Sequence, residues 1–122
     1  MQLLKLKTNG EIKALECPED PDTSWLAEQI GCEWIEIVRP RGFDFIMIVD
    51  EEGLLNEKPF NYYGSYIYGT QIHGQPIVGD ALIANENAEG CIVGLPKPEA
   101  IVWTVRLKQN FEMLKRMFGA NA

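Results

Sequence analysis

Residues 3–15 alternate between hydrophobic and polar side chains, which is the pattern of β-strands with one buried face. The leucines Leu4 and Leu6 precede an Asn-Gly turn, and Ile12 and Ala14 follow it. A two-residue turn would place Leu6 opposite a lysine and mix the two faces. We therefore predict a hairpin with a three-residue turn, Gly10 in the left-handed conformation, and the pairs Leu6 with Ile12 and Leu4 with Ala14.

An acidic, proline-broken connector follows the hairpin and leads into a predicted short helix that ends at about Ile30. Leu26 and Ile30 are four residues apart, so they share one face of this helix. Gly31 suits the left-handed position that follows a helix C-terminus. Three residues can cap the N-terminus: Asp22, Thr23 or Ser24.

Strand patterns recur further along the chain. Residues 33–38 alternate, whereas residues 43–49 contain a nearly unbroken apolar run, which is typical of a central strand covered on both faces. Residues 80–84 predict another strand, and residues 90–94 are a further candidate. The two leucines at 54–55 are expected to begin a short strand after an acidic turn.

The C-terminal segment has helical periodicity. Pro98 opens a predicted helix that runs to about residue 118, with a glycine beyond its end. Its apolar residues step by three or four and form one stripe: Trp103, Leu107, Phe111, Leu114 and Phe118. The predicted fold is therefore α+β: one domain over residues 1–122, with a mostly antiparallel sheet, a short helix after the first hairpin, and a long C-terminal helix packed on the sheet.

Composition and charge narrow the functional classes. The 122-residue chain is 46% hydrophobic and 24% charged, as expected of one folded domain. Residues 1–96 carry 6 Lys or Arg against 16 Asp or Glu, whereas residues 97–122 carry 5 against 2. This acidic body argues against direct nucleic-acid binding. The chain has no apolar run near the roughly 18 residues of a membrane span and no secretory pattern, so we expect a cytoplasmic protein without a membrane partner.

Residues 59–79 contain no charged Asp, Glu, Lys or Arg, but they hold all four tyrosines and the only histidine. Four glycines at intervals of about five residues favour irregular backbone with short helical or extended pieces. Tyrosine rings stack well on a base or fill a partner's pocket. The alternative is that the rings only close one end of the sheet. The candidate binding residues are Asn61, Tyr62, Tyr63, Tyr66, Tyr68 and His73.

Two arginines at a predicted hairpin tip add a candidate anion site. Arg39 and Arg41 are two residues apart, and a pair of guanidinium groups can hold a phosphate or a carboxylate. The alternative is that both are solvated or paired with nearby acids such as Glu36 and Asp44.

Catalytic and metal motifs are lacking. The sequence has no nucleophile elbow and no phosphate-binding glycine loop, and its cysteines and acidic turn do not have metal-ligand spacing. We therefore expect no catalytic residue, no metal and no cofactor. One alternative is a small hydrolase-like enzyme that uses His73 with a carboxylate or a thiol. Another is a structural module that forms a homodimer through the aromatic segment or the terminal helix.

The middle of the chain resembles the uncharacterised bacterial family designated domain of unknown function 3846. The matching features, over about residues 3–95, are a helix ending at Gly31, a strand at 33–38, the turn Asp50-Glu51-Glu52-Gly53-Leu54-Leu55, the segment Pro59-Phe60-Asn61, and a glycine-flanked hydrophobic strand at 74–83. Phe60 interrupts the Pro-Asn pair of the family pattern, and the terminal helix is longer than the pattern implies.

The resemblance implies a setting but no catalytic residues. Proteins of this family are carried mostly on phages, plasmids and integrated elements, so the resemblance implies a non-catalytic accessory protein that blunts a defence system of the bacterial host. Two partners fit such a role. One is a nucleotide immune signal held by the tyrosines and by Arg39 or Arg41. The other is a defence protein such as a CRISPR effector, whose DNA-binding channel the acidic body would occupy.

Overall fold

In the computed structural model, which describes residues 1–119, strands and helices are mixed along the chain. The strands are β1 (Gln2–Leu6), β2 (Ile12–Glu16), β3 (Ile35–Val38), β4 (Ile46–Asp50), β5 (Ala81–Glu86) and β6 (Ile92–Val93). The helices are α1 (Thr23–Ile30), α2 (Tyr62–Tyr68), α3 (Thr70–His73), α4 (Lys97–Gln109) and α5 (Phe111–Phe118). The predicted α+β class is confirmed.

All paired strands run antiparallel. Five of them lie in the order β2-β1-β5-β4-β3, and β6 pairs with the far end of β5. The two central strands, β4 and β5, come from distant parts of the chain. The β4–β5 pairing therefore joins the N-terminal half of the protein to the segment that follows the aromatic residues.

The first hairpin has the predicted register. Leu6 pairs with Ile12 and Leu4 pairs with Ala14, and Gly10 has a φ of +95°. The amide of Gly10 donates to the carbonyl of Lys7 at 3.1 Å, which closes the three-residue turn. The predicted register is confirmed: the three-residue turn places Ile12 on the same buried face of the hairpin as Leu4 and Leu6.

Helix α1 also forms as predicted. The Asp22 side chain accepts a hydrogen bond from the amide of Trp25 at 2.8 Å, so Asp22 is the N-cap. Gly31 ends the helix in the left-handed conformation, with a φ of +68°. Leu26 and Ile30 are buried against the sheet.

The sheet is covered on both faces. On one face, α1 packs over Ile46, Ile48 and Leu82. On the other face, α2, α4 and α5 pack over Met47, Val49 and neighbouring apolar residues. Every residue of β4 is consequently buried, as the unbroken apolar run of this strand predicted.

Two details of the prediction were wrong. The terminal helix is interrupted at Asn110, whose side-chain amide donates to the carbonyl of Arg106 at 2.8 Å. Asparagine competes for backbone hydrogen-bonding groups in this way, and it separates α4 from α5. The predicted apolar stripe nevertheless packs on the sheet side, with Leu107 and Leu114 buried.

The strand predicted to begin at Leu54 and Leu55 does not form. Both leucines lie exposed in a turn.

Lys58, which follows the turn that contains Leu54 and Leu55, connects this turn to the sheet and to α1. The Lys58 ammonium lies 2.6 Å from a carboxylate oxygen of the buried Asp50 and donates to the carbonyl of Gly31 at 2.8 Å. This ion pair and hydrogen bond connect the turn to the end of α1.

Within residues 1–119, no helix has the length and apolar character needed to cross a membrane.

Candidate functional site

Asn61 positions the aromatic segment. It caps α2 by accepting a hydrogen bond from the amide of Gly64 at 2.9 Å. Its side-chain amide donates to the carbonyls of Leu6 at 2.9 Å and Gly79 at 2.8 Å. The side chain is completely buried, so it anchors α2 to the sheet and is not accessible to a ligand.

Tyr63 is likewise part of the core. Its ring is buried beneath α5, and its hydroxyl donates to the carbonyl of Gly10 at 2.8 Å. Burial raises the pKa of this phenol to about 12. Tyr62 is half-buried and packs edge-on against Phe60 and Phe111. These two tyrosines therefore close one end of the sheet, which was the alternative interpretation of the aromatic segment.

Two glycines bend the chain after α2. Gly69 has a φ of +92° and ends α2, and Gly74 has a φ of +83° and ends the short α3. Residues other than glycine rarely adopt this backbone conformation. The bends separate α3 from α2 and leave an open space between α3 and the β3–β4 connection.

This space is an aromatic cavity of about 400 Å³, within the size range of small-molecule sites. Its walls come from the β3–β4 connection, the end of α2, and α3: Arg41, Phe43, Tyr66, Ile67, Tyr68, Gly69, Gln71, Ile72 and His73. Tyr66 and Tyr68 are half-buried and thus reach both the protein and the solvent. We call this space the tyrosine cavity.

Among the described residues that line the tyrosine cavity, Arg41 alone carries a permanent charge. Among residues 1–119, no carboxylate lies within 4.0 Å of its guanidinium group. The cavity is therefore a cationic, aromatic site on a chain with a net charge of −7. An accessible guanidinium group of this kind favours phosphate or carboxylate groups.

Arg39, in contrast, forms an ion pair within the protein. Its guanidinium group makes two hydrogen bonds to the Glu86 carboxylate, at 3.3 and 2.7 Å. This partner lies on β5 and not among the nearby acids considered from the sequence. The contacts with Glu86 raise the pKa of Arg39. Arg39 does not line the tyrosine cavity, so the two arginines do not form a shared clamp in this structure.

His73 lies on the wall of the tyrosine cavity, but its ring nitrogens contact backbone groups. Nε2 lies 2.9 Å from the carbonyl oxygen of Tyr68, and Nδ1 accepts a hydrogen bond from the amide of Gln75 at 3.1 Å. The neutral ring with the proton on Nε2 satisfies both contacts. Its ring also packs against that of Tyr68, with centroids 4.8 Å apart. These contacts hold the His73 ring against Tyr68.

The structure thus divides the eight sequence-predicted site residues. Tyr66, Tyr68, His73 and Arg41 line one cavity, whereas the others do not: Asn61, Tyr62, Tyr63 and Arg39. Sequence reasoning missed Phe43 and Ile72 as wall residues. Phe43 was read as part of a strand, and the only signal for Ile72 was its place in the glycine-bounded segment.

A second concave feature lies on the opposite side of the sheet, beside α1. It is a groove of about 530 Å³ whose walls include the carboxylates of Glu28, Glu33 and Glu52. Within the described part of the chain, no group of three or more His, Cys, Asp or Glu side chains is arranged to hold a metal ion. We call this feature the acidic groove.

Comparisons with known proteins bear on the family. No curated protein and no solved structure matches the chain. A family model, described as a domain of unknown function (DUF3846), matches residues 1–110. This match extends past the similarity seen in the sequence and takes in α4, and it ends at Asn110, where the terminal helix is interrupted. The chain therefore belongs to the DUF3846 family.

Proposed function

We propose that this protein is a non-catalytic binding protein whose ligand is a nucleotide held in the tyrosine cavity. The observation that carries the proposal is the meeting of Tyr66, Tyr68 and Arg41 around one cavity of about 400 Å³. Aromatic faces stack on nucleobases of any sequence, and a guanidinium group binds phosphate. A nucleotide combines these two chemical groups in one molecule.

The electrostatics of the chain support a small anion over a polymer. The acidic residues repel an extended phosphate backbone, whereas the tyrosine cavity presents the guanidinium group of Arg41, which has no carboxylate partner among residues 1–119. His73 supports a binding role because both of its ring nitrogens contact the backbone. The family setting expected from the sequence, an anti-defence protein of phages and plasmids, makes a nucleotide immune signal the proposed ligand.

Thermal-shift and calorimetric titrations with mononucleotides and cyclic nucleotides test the proposal. At a concentration about 100 times Kd, a bound nucleotide stabilises the folded state by about 2.7 kcal/mol and raises Tm by several degrees. No shift with any nucleotide would contradict the proposal.

Two arginine variants provide a matched pair for this titration. Arg41→Ala should weaken binding about tenfold or more, because it removes a charge-assisted hydrogen bond to phosphate. Arg39→Ala removes an equal charge outside the cavity, so it should leave the affinity nearly unchanged. Equal losses in the two variants would indicate a nonspecific charge effect and would count against the site.

The acidic groove supports a second candidate, capture of a cationic defence protein such as a CRISPR effector. The groove is lined by Glu28, Glu33 and Glu52. Their carboxylates could pair with the cationic side chains of a channel built for phosphates. A plasmid-interference assay in a host with an active CRISPR system distinguishes the two candidates. Neutralising these three glutamates to glutamine should restore interference if the groove is responsible, whereas Arg41→Ala should restore it if the tyrosine cavity is.

A further inference from the structure

Helix α4 presents an apolar surface to solvent. Ala100 and Leu107 on its inner side are buried. Successive helical residues are about 100° apart, so Val102 and Val105 lie on the opposite, outer side. Ile101 adjoins them, and all three side chains are about half exposed, at 53%, 48% and 48% for residues 101, 102 and 105.

The apolar surface extends beyond the helix. A groove of about 220 Å³ runs between α4 and the first hairpin, and Ile101 and Val105 form its helical wall. Ile12 and Ala14 of β2 line the other side. Contiguous exposed apolar surface of this kind usually marks an interaction site.

Two opposite charges lie beside this surface. Glu99 and Arg106 are seven residues apart and therefore lie on the same flank of α4. From this arrangement, we propose that α4 forms a homodimer with α4 of a second copy, with the two helices antiparallel about a two-fold axis. In such a pair, the same flank of both helices lies on the same side of the interface.

The register of the pairing follows from the valines. If Val102 packs against Val105 of the second copy, Glu99 lies opposite position 108 of that copy. Arg106 of the second copy is two residues from this position, which is an offset of about 3 Å along the helix axis. Two long side chains span this offset easily. The two-fold axis repeats the contact, so the apolar pairs are flanked by two ion pairs of opposite direction.

The size of the surface predicts a weak dimer. A standard interface buries about 800 Å² on each partner, and one face of a 13-residue helix provides less. The hairpin groove adds apolar area, and the ion pairs at the rim contribute mainly to register. We therefore expect association that depends on protein concentration. The interface leaves the tyrosine cavity free, since Val102 and Val105 do not line it.

Sedimentation equilibrium over a concentration series tests this proposal. The mass should rise from 13.8 kDa towards twice that value. Val105→Glu places a charge on the two-fold seam and should raise the dimer dissociation constant about tenfold or more. Leu55→Glu is the matched control, because Leu55 is 76% exposed and lies outside the α4 surface. It should not change the dissociation constant.

A charge-reversal cycle tests the antiparallel geometry itself. Glu99→Arg alone and Arg106→Glu alone each bring like charges together and should weaken the dimer. The double variant restores opposite charges across the interface and should recover most of the affinity. Circular dichroism establishes that each variant is folded. A mass of 13.8 kDa at every concentration, a dimer that tolerates Val105→Glu, or a double variant no better than the singles would overturn the proposal.

Discussion

At the scale of single residues, four tyrosines with the same chemistry have different roles. Tyr63 is buried with its hydroxyl bonded to the carbonyl of Gly10, and Tyr62 packs beneath α5. Tyr66 and Tyr68 follow within one and a half turns of the same helix, yet they line a cavity open to solvent. The difference follows the position along α2: Tyr62 and Tyr63 lie at its N-terminal end, where α5 packs, whereas Tyr66 and Tyr68 lie towards its C-terminal end, beside α3 and the β3–β4 connection.

Tyr63 makes stability depend on alkaline pH. Its folded-state pKa of about 12 is above the ordinary value of 10, so the folded state holds the phenol proton more tightly than the unfolded state does. Because burial opposes ionisation of the phenol, this group leaves stability unchanged below pH 10 and lowers it by about 2 to 3 kcal/mol as the pH rises towards 12. Urea unfolding across this range should show the loss in the wild type and its absence in Tyr63→Phe.

The variant has a second signature at neutral pH. Tyr63→Phe should be less stable than the wild type by about 1 kcal/mol, because it loses the hydrogen bond to Gly10. Tyr62→Phe, a tyrosine on the same helix with a half-buried ring, should keep the pH dependence of the wild type. An unchanged alkaline profile in Tyr63→Phe would exclude this tyrosine as its source.

At the scale of elements, the first hairpin and α5 pack closely against each other at Gly10. The ring of Phe111 lies directly over Gly10, where an added Cβ atom would be 2.6 Å from the Phe111 ring. The same glycine has a φ of +95° and accepts the Tyr63 hydroxyl through its carbonyl. The turn is therefore both a hairpin connection and the surface on which α2 and α5 pack.

Gly10→Ala should destabilise the protein for two reasons. The left-handed backbone costs about 1 kcal/mol with a side chain, and the clash with Phe111 adds a further 1 to 3 kcal/mol. Gly42→Ala is the matched control, because Gly42 has a φ of +87° and open space around it. Chemical denaturation should give a clearly larger loss at Gly10. Equal losses would show that Phe111 moves aside without cost.

At the scale of the whole molecule, two hydrophobic cores share one sheet. Leu26 and Ile48 belong to the core beneath α1, whereas Met47 and Leu107 belong to the core beneath α4 and α5. Strands β4 and β5 contribute alternate residues to both cores. Loss of either helical layer would expose one face of these central strands, so we expect the two cores to unfold together.

Tryptophan fluorescence can follow each core separately. Trp25 packs against the α1 core and Trp103 against the opposite one, whereas Trp34 is 60% exposed. Two variants that each keep one reporter, Trp25 or Trp103, and replace the other tryptophans by phenylalanine should give the same urea dependence as circular dichroism. If one reporter changes at a distinctly lower urea concentration than circular dichroism does in the same variant, the cores are independent.

The sequence by itself determined the elements whose cause is local. The alternation around Gly10 specified the hairpin register, Asp22 and Gly31 specified the ends of α1, and the unbroken apolar run specified a strand buried on both faces. Each depends on neighbouring residues and on a period of two or 3.6. The same period placed the stripe of the terminal helix, although the break at Asn110 depends on a side-chain hydrogen bond that periodicity does not contain.

Only the tertiary structure decided which candidate residues share a site. Arg39 and Arg41 are nearly equivalent in sequence, but Glu86 on a distant strand engages the first and leaves the second at the tyrosine cavity. Asn61 and Tyr63 became internal anchors because the carbonyls of Leu6 and Gly10, more than fifty residues away, lie beside them. Contacts over such separations follow from how the sheet pairs and the helices dock, and no local pattern records them.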